Sequence, residues 1–151
     1  MIKLSFPETL EAKLKDGELI LAMPETKSFL GNAVNDIQLT KNFNLKEFES
    51  KDTGEVRIHP ELVRKLQLIR DQVGRKVTVI SGYRTKAHNA KLPNSSSTSQ
   101  HLLGTAADIS VTGTDGATLA KIAEQVGFKS IGITKTAIHV DLRPELRRWN
   151  Y

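Results

Sequence analysis

Two short segments in the second half of the chain alternate between apolar residues and residues that can bind a metal ion. Successive side chains of a β-strand point to opposite faces of a sheet. The segment TAADISV (105–111) therefore places the apolar residues Ala107, Ile109 and Val111 on one face and Asp108 on the other, beside the small Ala106. The segment AIHVDL (137–142) repeats this design with His139 and Asp141. Both segments are therefore predicted to be strands with one face in the core and the other facing a cleft.

Helix signals surround these strands. Asn44 is followed three residues later by Glu47, a capping-box pattern that predicts the start of a short helix. Between Pro60 and Gly74 the leucine, isoleucine and valine residues recur at helical spacing, which predicts an amphipathic helix with its left-handed end at the glycine. A further helix is predicted in DGATLAKIAEQVG, and further strands in KVTVISGYR and SIGIT. This order indicates an α+β fold in which helices flank an antiparallel sheet.

The two ends of the chain are less strongly patterned. Residues 1–40 are interpreted as an N-terminal extension of unknown role with one or two strands, of which GELILAM is the clearest, and residues 41–151 as the main domain. The C-terminal stretch RPELRRWNY is a short basic patch that holds the single tryptophan, Trp149. Two roles are open for Trp149: packing back onto the domain, or helping the protein to bind its target.

Two histidines and an aspartate form the candidate metal site. If the strands that carry Asp108 and His139 lie side by side, both side chains face one cleft, and His101 can enter that cleft from the serine-rich loop before the first strand. Two histidines and a carboxylate with an open fourth position are typical of catalytic zinc. The alternative is that these are ordinary hydrogen-bonded polar residues of a strand. The chain has no cysteine, so any metal must be held by nitrogen and oxygen atoms.

Charge and composition narrow the possible partners. The net charge of +5 favours polyanions such as nucleic acid, anionic lipid or the bacterial cell wall. Aromatic residues make up only 5% of the chain and do not alternate with basic ones, so no specific nucleic-acid partner is expected. No apolar run is long enough to cross a bilayer. The first residues lack the apolar core of a signal peptide, so synthesis in the cytoplasm without such a peptide is expected.

Three motifs give the chain a resemblance to a known family. SGYRT (81–85), SQHLLGTAADI (99–109) and IHVDLR (138–143) occur in the order and roughly at the spacing found in the zinc D-Ala-D-Ala metallopeptidases. The resemblance covers about residues 42–143 and implies the zinc fold shared with the hedgehog signalling domain. It further implies zinc as the cofactor, with the ligands His101, Asp108 and His139, and Arg84 as a substrate and transition-state anchor.

The family resemblance also implies metal-assisted hydrolysis, in which a carboxylate takes a proton from the attacking water. Many members carry that carboxylate three residues before the second zinc histidine, where this chain has Thr136, which cannot act as a base at neutral pH. Asp141 is the nearest replacement, and it is expected either to act as the base or to orient a metal ligand. Ser99 and Tyr83 are expected to contact substrate, although each has a purely structural alternative.

The predicted function is a zinc-dependent peptidoglycan peptidase that hydrolyses stem-peptide bonds, as a D-Ala-D-Ala carboxypeptidase or as a phage endolysin-type endopeptidase. The expected partner is the peptidoglycan stem peptide, and the enzyme is expected to act as a monomer or as part of a virion. It would act at the bacterial cell wall after holin-type release or as a virion component. The alternative is a non-catalytic, zinc-containing module that binds cell-wall peptides.

Overall fold

The computed structural model describes residues 11–15, 18–22 and 35–151. Within this part of the chain, helices pack on sheets that are mostly antiparallel, as in an α+β fold. The helices are α1 (Pro60–Val73), α2 (Lys86–Ala90) and α3 (Gly116–Gln125), with short 3-10 helices at Leu45–Phe48 and Gln100–Leu103. The strands are β1 (Glu11–Lys15), β2 (Glu18–Ala22), β3 (Val56–Ile58), β4 (Thr78–Ser81), β5 (Ala106–Ser110), β6 (Ser130–Ile133), β7 (Ile138–Asp141) and β8 (Arg147–Asn150).

The strands form two sheets. A three-stranded antiparallel sheet has the order β1-β2-β3, and a five-stranded sheet has the order β4-β5-β7-β6-β8. In the larger sheet β4, β5, β7 and β6 pair antiparallel, as predicted, but β8 pairs with β6 in the parallel direction. The predicted α+β fold with an antiparallel sheet is therefore confirmed, with one parallel pair where the C-terminal basic stretch forms the edge strand.

One face of the five-stranded sheet lies in the core. Ala107 and Ile109 of β5 and Ile138 and Val140 of β7 are fully buried, as the alternation predicts. Helix α3 packs against β6 and β7 and turns Leu119 inward, which covers this face. The opposite face is thereby left open, and it carries the polar residues of the candidate site.

The predicted helix signals are present as local structure. Asn44 accepts a hydrogen bond from the Lys46 backbone N–H, and its own backbone N–H donates to Glu47, so the capping box is complete. Phe43 and Phe48 flank it with ring centroids 6.0 Å apart, as a hydrophobic staple requires. This cap begins a 3-10 helix of four residues.

Helix α1 also ends as predicted. Gly74 follows its last residue with φ +67°, the left-handed conformation that closes a helix and that glycine adopts without steric cost. At the other end, the ring of His59 accepts the backbone N–H of Glu61, so this histidine serves as a helix cap.

The N-terminal part contributes strands to the smaller sheet. Strand β2, within the predicted GELILAM strand, pairs with β1 and with β3 of the main domain. Ile37 and Leu39 are buried in the same core cluster as the later helices and strands. The division between residues 1–40 and 41–151 stays a prediction, and these two side chains show that residues just before it pack with the main domain.

Among the residues that the structure describes, no helix combines the length and the apolar character needed to cross a membrane.

Candidate metal centre

A single row of paired residues crosses the open face of the five-stranded sheet. Ser81 on β4 lies opposite Asp108 on β5, and Asp108 lies opposite His139 on β7. His139 lies opposite Gly132 on β6, which in turn lies opposite Trp149 on β8. Directly paired residues have Cβ atoms about 4.5–5.5 Å apart, so the register of β5 and β7 by itself brings Asp108 and His139 together.

His101 reaches this row from the loop before β5. The 3-10 helix Gln100–Leu103 begins at Ser99, whose hydroxyl accepts the backbone N–H of His101, and ends at Gly104 with φ +73°. The imidazole of His101 is buried, and its Nδ1 lies 2.7 Å from the carbonyl oxygen of Gly82. Because a carbonyl can only accept, Nδ1 carries the hydrogen and Nε2 is left as the free ligand atom.

The three side chains form one compact donor set. One ligand atom from each of His101, Asp108 and His139 lies within 4.8 Å of the others. The Asp108 oxygen Oδ1 is 3.4 Å from His101 Nε2 and 3.0 Å from His139 Nδ1. Tetrahedral zinc with bonds of about 2.0–2.1 Å holds its ligand atoms roughly 3.3 Å apart. The spacing and the two-nitrogen, one-oxygen chemistry of the set therefore fit a zinc ion.

The neighbours of Asp108 keep its carboxyl group ionised, as cation binding requires. Burial alone would raise the pKa of its carboxyl group, but hydrogen bonds and charge from His101 and His139 outweigh burial and hold the pKa well below its usual value. Arg84 adds a further contact, since its Nη2 donates to Asp108 Oδ2 at 3.2 Å. The carboxylate is thus ionised at any pH at which the histidines are free to bind a metal.

Arg84 is held at the rim of the donor set. Its Nε donates to the Ser81 hydroxyl at 3.0 Å, and its backbone N–H donates to the carbonyl of His101 at 3.1 Å. The guanidinium is mostly buried, with 17% of the side chain exposed. The structure therefore brings Arg84 to the donor set, and Arg84 lines the same cleft as the three donors.

A family comparison bears on this geometry. The chain matches the model of the family described as Peptidase M15 over residues 34–142, which include all three members of the donor set and Arg84. The chain belongs to the peptidase M15 family. This family consists of zinc-dependent metallopeptidases, so the predicted family, the metallopeptidase class and the α+β zinc fold are confirmed. No curated protein gives a significant match to the chain.

In this M15 chain the donor set lies at a cleft of about 830 Å³. The cleft is walled by the serine-rich loop on one side and by β8 on the other, and Ser99 lies among its lining residues. Tyr83 does not line it. Its ring lies instead under the guanidinium of Arg57, with the guanidinium carbon 6.0 Å from the ring centroid. Thr136 is exposed and also lies outside the cleft lining.

Asp141 lies beside His139 on the open face but has no access to the cleft. The carboxylate is fully buried, and His139 Nε2 lies 2.8 Å from its Oδ2. It also accepts the Ser130 hydroxyl and three N–H groups of Arg143. A carboxylate has about four lone-pair positions, so these five donors saturate it. Burial would raise the pKa of Asp141, yet the donors outweigh burial and lower it.

The cleft also contains residues that sequence reasoning did not assign to the site. Arg147, Trp149 and Tyr151 line it from the C-terminal strand, together with Arg143. Their spacing of two was a readable signal, because alternate residues of a strand share a face. The signal was missed because RRWNY lacks the apolar partner positions that mark a strand in sequence. Trp149 thus packs back onto the domain, which was the first of the two roles open for it in the sequence.

Proposed function

We propose that this M15 protein is a zinc-dependent peptidase that hydrolyses peptide bonds in peptidoglycan stem peptides. The single observation that supports it best is the His101–Asp108–His139 set, whose spacing fits zinc and which lies at an open cleft. In this proposal those three residues hold zinc, Arg84 anchors the substrate, and Ser99 contacts it from the serine-rich loop. The net charge of +5 supports attraction to the anionic cell wall, where we place the reaction.

In this proposal the residues around the zinc site bind the substrate or orient the metal ligands. Zinc, when bound, lowers the pKa of a coordinated water and polarises the scissile carbonyl group. Arg84 sits beside Asp108 with a planar fork of donors that suits a carboxylate or a developing oxyanion. His101 is held by the Gly82 carbonyl and His139 by Asp141, so both rings keep a fixed tautomer and orientation.

For Asp141 we propose the orienting role rather than the role of general base. Its carboxylate is buried, saturated by five donors and lowered in pKa, so it offers no free lone pair for a water proton. Among the residues that the structure describes, Asp108 is the one carboxylate that lines the cleft. Asp108 would be occupied by the metal and by Arg84. The proton acceptor of this enzyme therefore differs from the carboxylate that many family members place at the position of Thr136.

The proposal is tested by digesting purified peptidoglycan with the zinc-loaded protein and identifying the products by mass spectrometry. We expect free D-alanine if the enzyme is a carboxypeptidase and shortened or separated stem peptides if it is an endopeptidase. His139→Ala should abolish release, and the matched His88→Ala variant, whose ring lies outside the cleft lining, should retain it. No release by the wild-type protein at any zinc concentration or pH would contradict the peptidase assignment.

A second function is favoured because Asp108 is the one carboxylate side chain that lines the cleft in the described part of the chain. Without a group that accepts the water proton, the same site would hold zinc and bind a stem peptide without cutting it. This binding module predicts one zinc per chain and cosedimentation with peptidoglycan, with no product detected even after prolonged digestion. Cosedimentation that is lost in His139→Ala, together with an absence of cleavage, would favour the module over the peptidase.

A further inference from the structure

Trp149 and His139 meet even though a strand lies between them. Gly132 pairs with His139 on one side and with Trp149 on the other, so the two aromatic residues belong to strands two positions apart in the sheet. Neighbouring strands are about 4.8 Å apart, which places these two backbones nearly 10 Å apart. Their ring centroids are nevertheless only 5.4 Å apart. The indole has therefore leaned across β6 to reach the imidazole.

Gly132 provides the space for this contact. A Cβ atom at position 132 would lie 2.6 Å from Cε2 of Trp149 and 2.8 Å from its Cζ2 and Nε1. A Cβ atom cannot approach non-bonded atoms so closely, so any other residue at this position would push the indole away. The glycine is needed here for a close approach of side chains, and no turn or left-handed backbone is involved.

The indole completes the enclosure of His139. The imidazole Nδ1 faces Asp108 and Nε2 faces Asp141, which fixes the ring within its own plane. His101 approaches the ring in an edge-on arrangement with centroids 5.1 Å apart, and Trp149 packs against it as well. Arg143, which holds Asp141, lies with its guanidinium carbon 5.9 Å from the Trp149 centroid. The contacts thus connect the indole both to the metal ligand and to the group that orients that ligand.

We propose that Trp149 is a positioning residue of the metal centre and that Gly132 leaves the space in which its indole packs. The indole restricts rotation of the His139 ring, so that Nδ1 points toward Asp108 and His101 before a metal arrives. Strand β8 is then part of the metal site, although it lies beyond the region of the family match. This inference rests on the proposed function only in taking His139 as a metal ligand.

The test compares zinc affinity among four variants, measured by competition with a chromophoric chelator. Trp149→Ala and Gly132→Ala should each weaken zinc binding by about tenfold or more, the range typical of groups that orient metal ligands. Trp149→Phe, which keeps an aromatic ring, should recover most of the affinity. Asn150→Ala is the matched control, because Asn150 follows Trp149 but belongs to the opposite face of the strand, and it should bind zinc as the wild type does.

A double variant separates positioning from general damage to the fold. If Gly132→Ala acts only by displacing the indole, it should cause no further loss of zinc affinity in a Trp149→Ala background. Additive losses of zinc affinity in the double variant would overturn the proposed role of Gly132. Unchanged zinc affinity in Trp149→Ala, in protein whose metal-free melting temperature matches the wild type, would overturn the positioning role.

The wild-type chain supplies a readout that needs no variant. Trp149 is the single tryptophan, so the indole fluorescence of the protein comes from this residue alone. Loading with zinc should change its emission, and loading with cobalt should quench it, with an endpoint at one metal per chain. Emission unaffected by a bound metal would overturn the contact. Wild-type protein that binds no zinc would instead refute the proposed function, so the two failures are distinguishable.

Discussion

Asp141 shows how the surroundings of one residue decide its chemistry. Its position two residues after His139 places it on the face of the metal ligands, where a base would be useful. Its row neighbours are Ala106 and Ser130, and Arg143 closes over it with a bidentate contact. These contacts turn an acidic side chain near the metal into a fixed acceptor for His139 Nε2.

Replacing Asp141 with asparagine tests its role directly. We expect zinc affinity to fall by about 10–100-fold, because an oriented ligand loses its partner. At saturating zinc, kcat should stay within about tenfold of the wild type, whereas loss of a general base costs roughly 10²–10⁴-fold. Zinc titrations and kcat at full metal occupancy separate the two roles. A fully loaded Asp141→Asn protein with kcat reduced more than about 100-fold would return the base role to Asp141.

At the scale of elements, Gly82 connects the first 3-10 helix to the metal site. Gly82 leaves no room for a Cβ atom beside the backbone of Phe48, whose carbonyl accepts the N–H of Tyr83 at 2.8 Å. Its own carbonyl accepts the hydrogen of His101 Nδ1. The turn after β4 therefore both packs against the Phe48 backbone and orients the candidate ligand His101.

Gly82→Ala should consequently damage both stability and metal binding. The new Cβ would lie 2.7 Å from Phe48 Cα and 2.9 Å from Phe48 O, and backbone atoms yield only by shifting the element. We expect a loss of about 1–3 kcal/mol in the free energy of unfolding, typical of overpacking, measured by urea denaturation of the metal-free protein. Zinc affinity should fall as well, because the Gly82 carbonyl moves with the turn.

Gly74→Ala is the matched control for this prediction. A Cβ at position 74 would meet no neighbouring atom, but the backbone there is left-handed. The substitution should therefore lower the free energy of unfolding by about 1 kcal/mol and leave zinc affinity unchanged. Equal zinc affinities in the Gly82→Ala and Gly74→Ala proteins would show that the Gly82 carbonyl does not position His101.

At the scale of the whole molecule, metal binding and stability are linked through His139. Burial alone would lower the pKa of its ring, but hydrogen bonds and charge from Asp108 and Asp141 outweigh burial and raise it above 6.5. Protonation of the metal-free ring therefore stabilises the fold below the unfolded-state value, and this contribution is lost as the pH rises through the folded-state value. Both carboxylates stay ionised over this range, since their pKa values are lowered.

Zinc should reverse the pH dependence of this contribution. The metal needs an unprotonated Nδ1, so its affinity rises while the proton is being lost. We expect the increase in melting temperature on adding zinc to grow between about pH 6 and 8.5. Burial lowers the pKa of His59, so His59 changes the stability with pH in the opposite direction. Comparison with the His139→Gln protein separates the effect of His139 from that of His59. A zinc-induced shift that shrinks over this range would contradict the linkage.

The sequence by itself determined the features that depend on neighbours along the chain. Strand alternation assigned Ile109 and Val140 to the core and Asp108 and His139 to the open face, because the period of two is a local property of the backbone. The cap at Asn44 and the helix end at Gly74 were predictable for the same reason. The family resemblance strengthened the prediction that His101, Asp108 and His139 hold a metal ion.

Only the tertiary structure decided what depends on residues far apart in sequence. The pairing of β5 with β7 aligns Asp108 with His139, and the pairing of β6 with β7 brings the Ser130 hydroxyl onto Asp141. The parallel placement of β8 brings Trp149 onto His139 across Gly132. Strand order and register are set by packing between distant segments rather than by local propensity. For that reason a basic C-terminal stretch without apolar alternation turned out to form one wall of the metal site.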